Sequence, residues 1–130
     1  MEQELNVLIV DNDEQVIKFV SRLLNRVLEF VEISVAKDEA TAVSYGANVD
    51  LAIIEIGRPL FLKTEDSNEL QRLDIIRRLR VRQPHLTIIA ISSYGDNAQG
   101  IAKSSGADFF VNNVYDSWKI EAIIKGINFR

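Results

Sequence analysis

The sequence predicts an α/β fold, a doubly wound sheet of five parallel strands with helices on both faces. Short runs rich in apolar β-branched residues alternate with amphipathic helical patterns along all 130 residues. A run that is apolar throughout is typical of a strand buried on both faces, as in a parallel sheet. Parallel neighbours need right-handed helical crossovers, which place helices on both faces. Five such β-then-α units use the whole chain, so residues 1–130 are predicted to form one domain.

The five strands are predicted where the apolar runs lie. In chain order these runs are Leu5–Val10, Val31–Ala36, Leu51–Ile56, Leu86–Ile91 and Asp108–Val111. Because the carboxyl ends of parallel strands meet at one edge of the sheet, that edge is where a ligand site is expected.

The five helices are predicted from apolar residues spaced three and four positions apart. The first stripe is Val16, Phe19, Val20, Leu23, Leu24 and Val27. The other four are Ala40, Val43 and Ala47; Leu70, Leu73, Ile76 and Leu79; Ala98, Ile101 and Ala102; and Trp118, Ile120, Ile123, Ile124 and Ile127. The predicted caps are Asp13 or Asn12 for the first helix, Asp38 for the second, and Asp116 or Ser117 for the last. Gly46, Pro84 and Gly106 are predicted to end the second, third and fourth helices.

Composition excludes several classes of function. The chain has no cysteine, which rules out disulfides and zinc bound through thiolates, and its single histidine, His85, rules out a histidine-rich metal cage. A formal net charge of −4 argues against binding nucleic acid or a membrane surface. The acidic residues 1–6 do not resemble a secretory signal, and no apolar run could span a bilayer. A cytoplasmic location is therefore expected.

Polar residues follow the predicted strands at the expected ligand edge. Asp11, Asn12 and Asp13 come after the first strand and could hold a hard cation through oxygen, or could simply cap the next helix. Glu55 interrupts the apolar third strand, and a buried carboxylate without a partner would be costly. Ser92 follows the fourth strand, where its hydroxyl could also be a cap or turn former.

Taken together, these segments resemble the receiver domain of bacterial response regulators. The resemblance covers nearly the whole chain, in order, through Val7–Asp13, Ala36–Val43, Asp50–Pro59, Ile88–Ser93 and Gly106–Phe110. It implies a flavodoxin-like (βα)5 fold with strand order 2-1-3-4-5. It also implies a phosphoacceptor position at Glu55, an acidic pocket at Asp11, Asn12 and Asp13, and switch positions at Ser92 and Phe110. Asn113 falls at the family's lysine position, and a metal site would use Asp11, Glu55 and Gly57.

Three of these positions depart from the family pattern. Glu55 replaces the phosphoacceptor aspartate, and its extra methylene displaces a group whose reactivity is sensitive to errors near 1 Å. Asn12 replaces the second residue of the acidic pair, which should weaken Mg²⁺ binding or abolish it. Asn113 replaces the lysine, and a neutral amide cannot pair with a phosphoryl group as an ammonium does.

The resemblance and its departures predict a non-enzymatic pseudo-receiver in a two-component phosphorelay. Such a domain would act without phosphorylation and without a required cofactor, by binding a sensor kinase, an output protein or a second copy of itself. Glu55 would then either mimic the charge of a phosphorylated aspartate or be a relic. Two candidate docking surfaces are Leu60-Phe61-Leu62 and the face formed by the fourth helix, fifth strand and fifth helix.

Three alternatives remain open. The altered site could still accept a phosphoryl group. Asp11-Asn12-Asp13 also resembles the Asp-x-Asp start of haloacid-dehalogenase-like phosphatases, although no late lysine and acidic pair were found. A nucleic-acid interaction would use the five arginines of the third helix, which are interpreted instead as its solvated face: Arg72, Arg77, Arg78, Arg80 and Arg82.

Overall fold

The computed structural model describes residues 4–45, 48–56, 68–92 and 97–127. The strands are β1 (Leu5–Val10), β2 (Val31–Ala36), β3 (Leu51–Glu55), β4 (Thr87–Ile91) and β5 (Phe109–Val111). The helices are α1 (Glu14–Val27), α2 (Glu39–Tyr45), α3 (Asn68–Arg82), α4 (Asn97–Ser105) and α5 (Ser117–Gly126). The predictions made for Gly46, Gly57, Pro59 and Leu60–Leu62 lie outside the described residues.

The five strands form one parallel sheet in the order β2-β1-β3-β4-β5, as predicted. The central strands β1, β3 and β4 are almost entirely buried. Their continuous apolar sequences are therefore explained by helices packed on both faces of the sheet.

Two apolar cores lie on opposite faces of this sheet. On one face, β1 contributes Val7 and Ile9, which pack with residues of α1 and α5 such as Leu24 and Ile120. On the other face, Leu8 and Val10 pack with residues of α2, α3 and α4. Successive strand residues point to opposite faces, so one apolar strand supplies both cores. The doubly wound prediction is confirmed.

The element boundaries follow the local signals closely. Predicted and observed bounds agree for β1 and β2 and differ by one residue at one end for β3, β4 and β5. Asp13 caps α1 by accepting hydrogen bonds from the backbone N–H groups of Gln15 (2.9 Å) and Val16 (3.5 Å). Asp38 caps α2 through the N–H of Thr41, at 2.8 Å. Asp116 precedes α5, but its side chain makes no capping hydrogen bond.

Trp118 departs from its predicted place in the buried stripe of α5. Its side chain is 66% exposed, whereas Ile120 and Ile124 are buried. Residues two positions apart lie about 200° apart around a helix, so burial of Ile120 turns Trp118 toward solvent. Among the described helices, none is long and apolar enough to cross a membrane.

Candidate functional site

Three of the sequence-predicted site residues, Asp11, Glu55 and Ser92, lie together at the carboxyl edge of the sheet. Val10 pairs with Ile54 in parallel register, which places Asp11 beside Glu55 at the ends of β1 and β3. Glu55 in turn pairs with Ile91, the last residue of β4, and Ser92 follows directly. This edge is where an open doubly wound sheet places its ligands.

Asp11 is the most enclosed carboxylate of the site, with only 4% of its surface exposed. Its Oδ1 accepts a hydrogen bond from the N–H of Asp13 at 2.9 Å. Burial raises the pKa of the Asp11 carboxyl above its ordinary value, while the Asp13 N–H and the positive charge of Arg72 oppose that rise. The pocket therefore disfavours the ionised form of Asp11 on balance.

This raised pKa predicts a pH dependence of stability. The folded state holds the Asp11 proton more tightly than the unfolded chain, so this group favours folding below its unfolded pKa of about 4. The contribution of Asp11 to the free energy of unfolding is lost as pH rises through the pKa that this carboxyl has in the folded state. Asp11→Asn cannot ionise, and we expect its free energy of unfolding to rise relative to wild type between about pH 3 and pH 7. Urea denaturation at both pH values measures the difference.

Asp38→Asn provides a control of opposite sign. Hydrogen bonds from Thr41 lower the pKa of the Asp38 carboxyl, so Asp38 favours folding above its unfolded pKa and loses that contribution in acid. Asp38→Asn should therefore fall in stability relative to wild type as pH rises. Parallel pH profiles for wild type and Asp11→Asn would contradict the assignment of Asp11.

Arg72 enters the site from the beginning of α3. Its Nη1 donates to the backbone carbonyl oxygen of Glu55 at 2.8 Å. Asn12, with its amide oriented so that both polar atoms are satisfied, accepts from Arg72 Nη2 at 3.0 Å and donates to the carbonyl oxygen of Lys37 at 3.0 Å. One guanidinium therefore joins the ends of β1 and β3, and Asn12 continues that link to the residue after β2.

The three residues of the predicted acidic pocket have different roles. Asp11 is buried, Asn12 is bound to Arg72 and Lys37, and Asp13 is exposed and caps α1. For Asp13 the structure bears out the helix-cap interpretation. Only Asp11 places a buried carboxylate in the pocket.

The two predicted switch residues lie near the edge of the sheet. Ser92 is fully buried, and its backbone N–H donates to the carbonyl oxygen of Val111 at 3.1 Å, which ties the end of β4 to β5. Phe110 is half-buried and packs against the core beneath α2, α3 and α4. Glu55, the predicted phosphoacceptor position, is half-buried at the end of β3.

Asn113, which was predicted to fall at the lysine position, is exposed and engaged in a local turn. Its Oδ1 accepts from the N–H of Tyr115 at 3.0 Å, and its backbone carbonyl accepts from the N–H of Asp116 at 3.0 Å. This is the turn chemistry that asparagine favours. The amide thus stabilises the approach to α5 and supplies no positive charge to the pocket.

The prediction that the arginines of α3 form its solvated face is wrong for two of them. Arg72 enters the site, and Arg80 binds the loops at the opposite edge of the sheet through the carbonyl oxygens of Pro84, Leu86 and Gly106. Arg72, Ile76 and Arg80 follow one another at intervals of four, so both arginines share a helix face with a fully buried isoleucine. That spacing is the sequence signal that could have identified them.

Several oxygens among the described residues of this pocket already accept hydrogen bonds, with which a divalent metal would compete. Hard cations bind several carboxylate and carbonyl oxygens. Here one Asp11 oxygen is bound by the Asp13 N–H, while the Asn12 oxygen and the Glu55 carbonyl are bound by Arg72. In the described ranges, no three acidic, histidine or cysteine side chains are grouped as metal ligands would be.

Comparison with known proteins identifies the fold. No protein-family model matches the sequence, and no curated protein is significantly similar to it. Chemotaxis protein CheY4 of Vibrio cholerae superposes with a TM-score of 0.75 at 15% identity, covering 97% of this chain and 100% of that one. A response regulator from Thermotoga maritima gives 0.71 at 20% identity, covering 95% and 100%. The chain has the receiver-domain fold.

One of the similar structures is of a phosphorylated response regulator. A response regulator from Burkholderia pseudomallei, whose structure contains a phosphorylated aspartic acid and a calcium ion, has a TM-score of 0.65 at 17% identity. The alignment covers 95% of this chain and 76% of that one. At these identities the comparison establishes the fold of this chain and leaves the activity to be argued from its own residues.

Proposed function

We propose that this chain is a receiver-like domain of two-component signalling that acts without phosphorylation. It is not an enzyme in this proposal, and it works in the cytoplasm by binding another protein. The observation that carries the proposal is the position of Glu55. In a receiver fold, this glutamate ends β3 beside the buried Asp11, where a phosphoacceptor aspartate is expected.

Two neighbouring positions support the absence of phosphoryl transfer. Phosphoryl transfer depends on positioning and on cations that neutralise the transferred group. Asn113 supplies only an amide, which is held in a turn of its own. Asn12 supplies an amide oxygen that Arg72 already binds. The site therefore has a longer acceptor side chain, and Asn12 and Asn113 supply neither the carboxylate nor the ammonium that the receiver pattern has at those positions.

The surface around β5 and α5 supports a role in protein binding. Three large side chains there are exposed: Phe109 (38%), Tyr115 (53%) and Trp118 (66%). Aromatic residues are enriched at protein interfaces, and these three exposed aromatic residues all lie within residues 109–118, from β5 to the start of α5. A sensor kinase, an output protein or a second copy of the chain would use this surface.

Intact-mass analysis after incubation with acetyl phosphate and Mg²⁺ tests the proposal. We expect no phosphoryl adduct on the wild-type chain, because the displaced carboxylate and the two amides do not assemble a transfer site. A receiver domain that accepts phosphate, treated in parallel, shows that the donor is active.

The Glu55→Gln variant shows which residue is modified if the wild-type chain does form a phosphoryl adduct. If an adduct forms on wild type and is lost in Glu55→Gln, Glu55 accepts the phosphoryl group and the proposal is wrong. An adduct that survives in Glu55→Gln and maps to Asp11 or Asp13 would equally overturn the claim that the site is inert.

A further inference from the structure

We infer that the guanidinium of Arg72 is a built-in cation that takes the place of the divalent metal of the receiver fold. The inference rests on the proposed function, because it explains how the altered site holds the ends of β1 and β3 together with neither metal nor phosphoryl group. It concerns a residue of α3 that the phosphorylation chemistry does not use.

The contacts of Arg72 place its charge between the two strand ends that would supply metal ligands. Nη1 lies 2.8 Å from the Glu55 carbonyl oxygen at the end of β3. Nη2 lies 3.0 Å from Oδ1 of Asn12, directly after β1. The same charge acts on the Asp11 carboxylate. Arginine is the side chain best suited to this position, because its planar fork can bind two oxygens on different strands at once.

A divalent ion would have to compete with the Arg72 guanidinium, which is covalently part of the chain and does not dissociate from it. The guanidinium is covalently tethered to α3 and bound at the ends of β1 and β3, so metal depletion does not remove it. An incoming Mg²⁺ would meet its positive charge in a partly buried site, where charges are less screened than in water. The oxygens of Glu55 and Asn12 would also have to give up their hydrogen bonds to Arg72.

The arrangement also couples α3 to the sheet. In a metal-dependent site, occupancy of the ion can vary with the surroundings, whereas Arg72 links α3 to the ends of β1 and β3 whenever the chain is folded. The position of α3 is thus independent of Mg²⁺. This matches a domain that presents one constant surface to its partner.

Calorimetric titration with MgCl₂ tests the inference on four proteins: wild type, Arg72→Met, Arg72→Lys and Arg77→Met. We expect no saturable binding by wild type and saturable binding by Arg72→Met, with a Kd at least about tenfold below the highest MgCl₂ concentration at which wild type shows none, equivalent to about 1.4 kcal/mol. Arg72→Lys keeps the charge and should remain insensitive to Mg²⁺. Arg77→Met removes the same charge from an exposed position of α3, so it controls for the change in net charge.

The outcomes separate this inference from the proposed function. Saturable Mg²⁺ binding by wild type, or no gain in Arg72→Met, would overturn the role of Arg72 without bearing on whether Glu55 accepts a phosphoryl group. If Arg72→Met does not fold, Arg72→Gln replaces it, since its amide can still donate to the Glu55 carbonyl. The acetyl phosphate experiment can fail independently, because it measures an adduct and not metal binding.

Discussion

Replacing Arg80 by alanine is expected to lower the free energy of unfolding by about 2–4 kcal/mol, because it removes hydrogen bonds from several carbonyl groups at once. The guanidinium donates to the carbonyl oxygens of Gly106, Pro84 and Leu86 at 2.6–3.1 Å. Its Nη2 also lies 2.6 Å from Oδ2 of Asp108, which itself accepts from the N–H of Ile88 at 2.8 Å. One side chain thus joins the end of α3 to the starts of β4 and β5.

The Arg80 side chain is only 23% exposed, so its hydrogen bonds lie in a partly water-excluded place. Gly106 packs against it with a backbone φ of 123°, and a Cβ at that position would lie 3.3 Å from Cβ of Arg80. Close approach of this loop therefore depends on both residues. Truncation of Arg80 leaves polar backbone groups without their partner as well as removing packed methylenes.

Urea denaturation of Arg80→Ala beside Arg82→Ala measures the effect. Arg82 lies on the exposed side of the same helix, and its truncation should change stability by no more than about 0.5 kcal/mol. Arg80→Lys should recover only part of the loss, because an ammonium cannot span the same set of oxygens. Equal effects of Arg80→Ala and Arg82→Ala would show that the network contributes little.

Restoring the family pattern at three positions is expected to create a phosphoryl acceptor. The variant combines Asn12→Asp, Glu55→Asp and Asn113→Lys. It shortens the acceptor side chain, adds a carboxylate for Mg²⁺ and supplies an ammonium for the phosphoryl group. Because an error near 1 Å can reduce reactivity about 10²-fold, we expect the rate of adduct formation to rise at least that much above wild type.

The same variant made with and without Arg72→Met separates the contributions of acceptor and cation. With Arg72 present, the guanidinium competes with Mg²⁺ for the end of β1, so labelling by acetyl phosphate should be slower than with methionine at that position. Time-resolved intact-mass measurements give both rates. Failure of both variants to form an adduct would show that features beyond these four positions make the site inert.

If Arg72 replaces the metal as proposed, the carboxyl edge of this sheet has a structural role that does not depend on a ligand. In a phosphorylatable site, the acidic pocket responds to a ligand. Here the buried Asp11, the Asn12 amide and the Glu55 carbonyl lie within the reach of one arginine, which holds α3 against the sheet. A stable edge of this kind fits a domain whose function is to be recognised by a partner.

The sequence by itself determined the fold class, most element boundaries and the location of the site. Continuous apolar runs such as Leu5–Val10 predict buried parallel strands because both of their faces need apolar contacts. Polar residues at strand ends, among them Asp11 and Glu55, are then brought together by topology alone. A side-chain cap for α1 at Asp13 or Asn12 was also predicted from local chemistry, and the structure assigns it to Asp13.

Only the tertiary structure decided the roles of Arg72, Arg80 and Asn113. An arginine on a helix can extend into solvent or fold inward along its methylenes, and the choice depends on carbonyl groups that are distant in sequence. Arg72 reaches Glu55 across 17 positions, and Arg80 reaches Gly106 across 26. Asn113 could equally have faced the pocket, but its amide binds the nearby N–H of Tyr115. Helical periodicity places Arg72 and Arg80 on the buried face of α3, but it does not say which distant carbonyl groups they bind, because that is settled by packing.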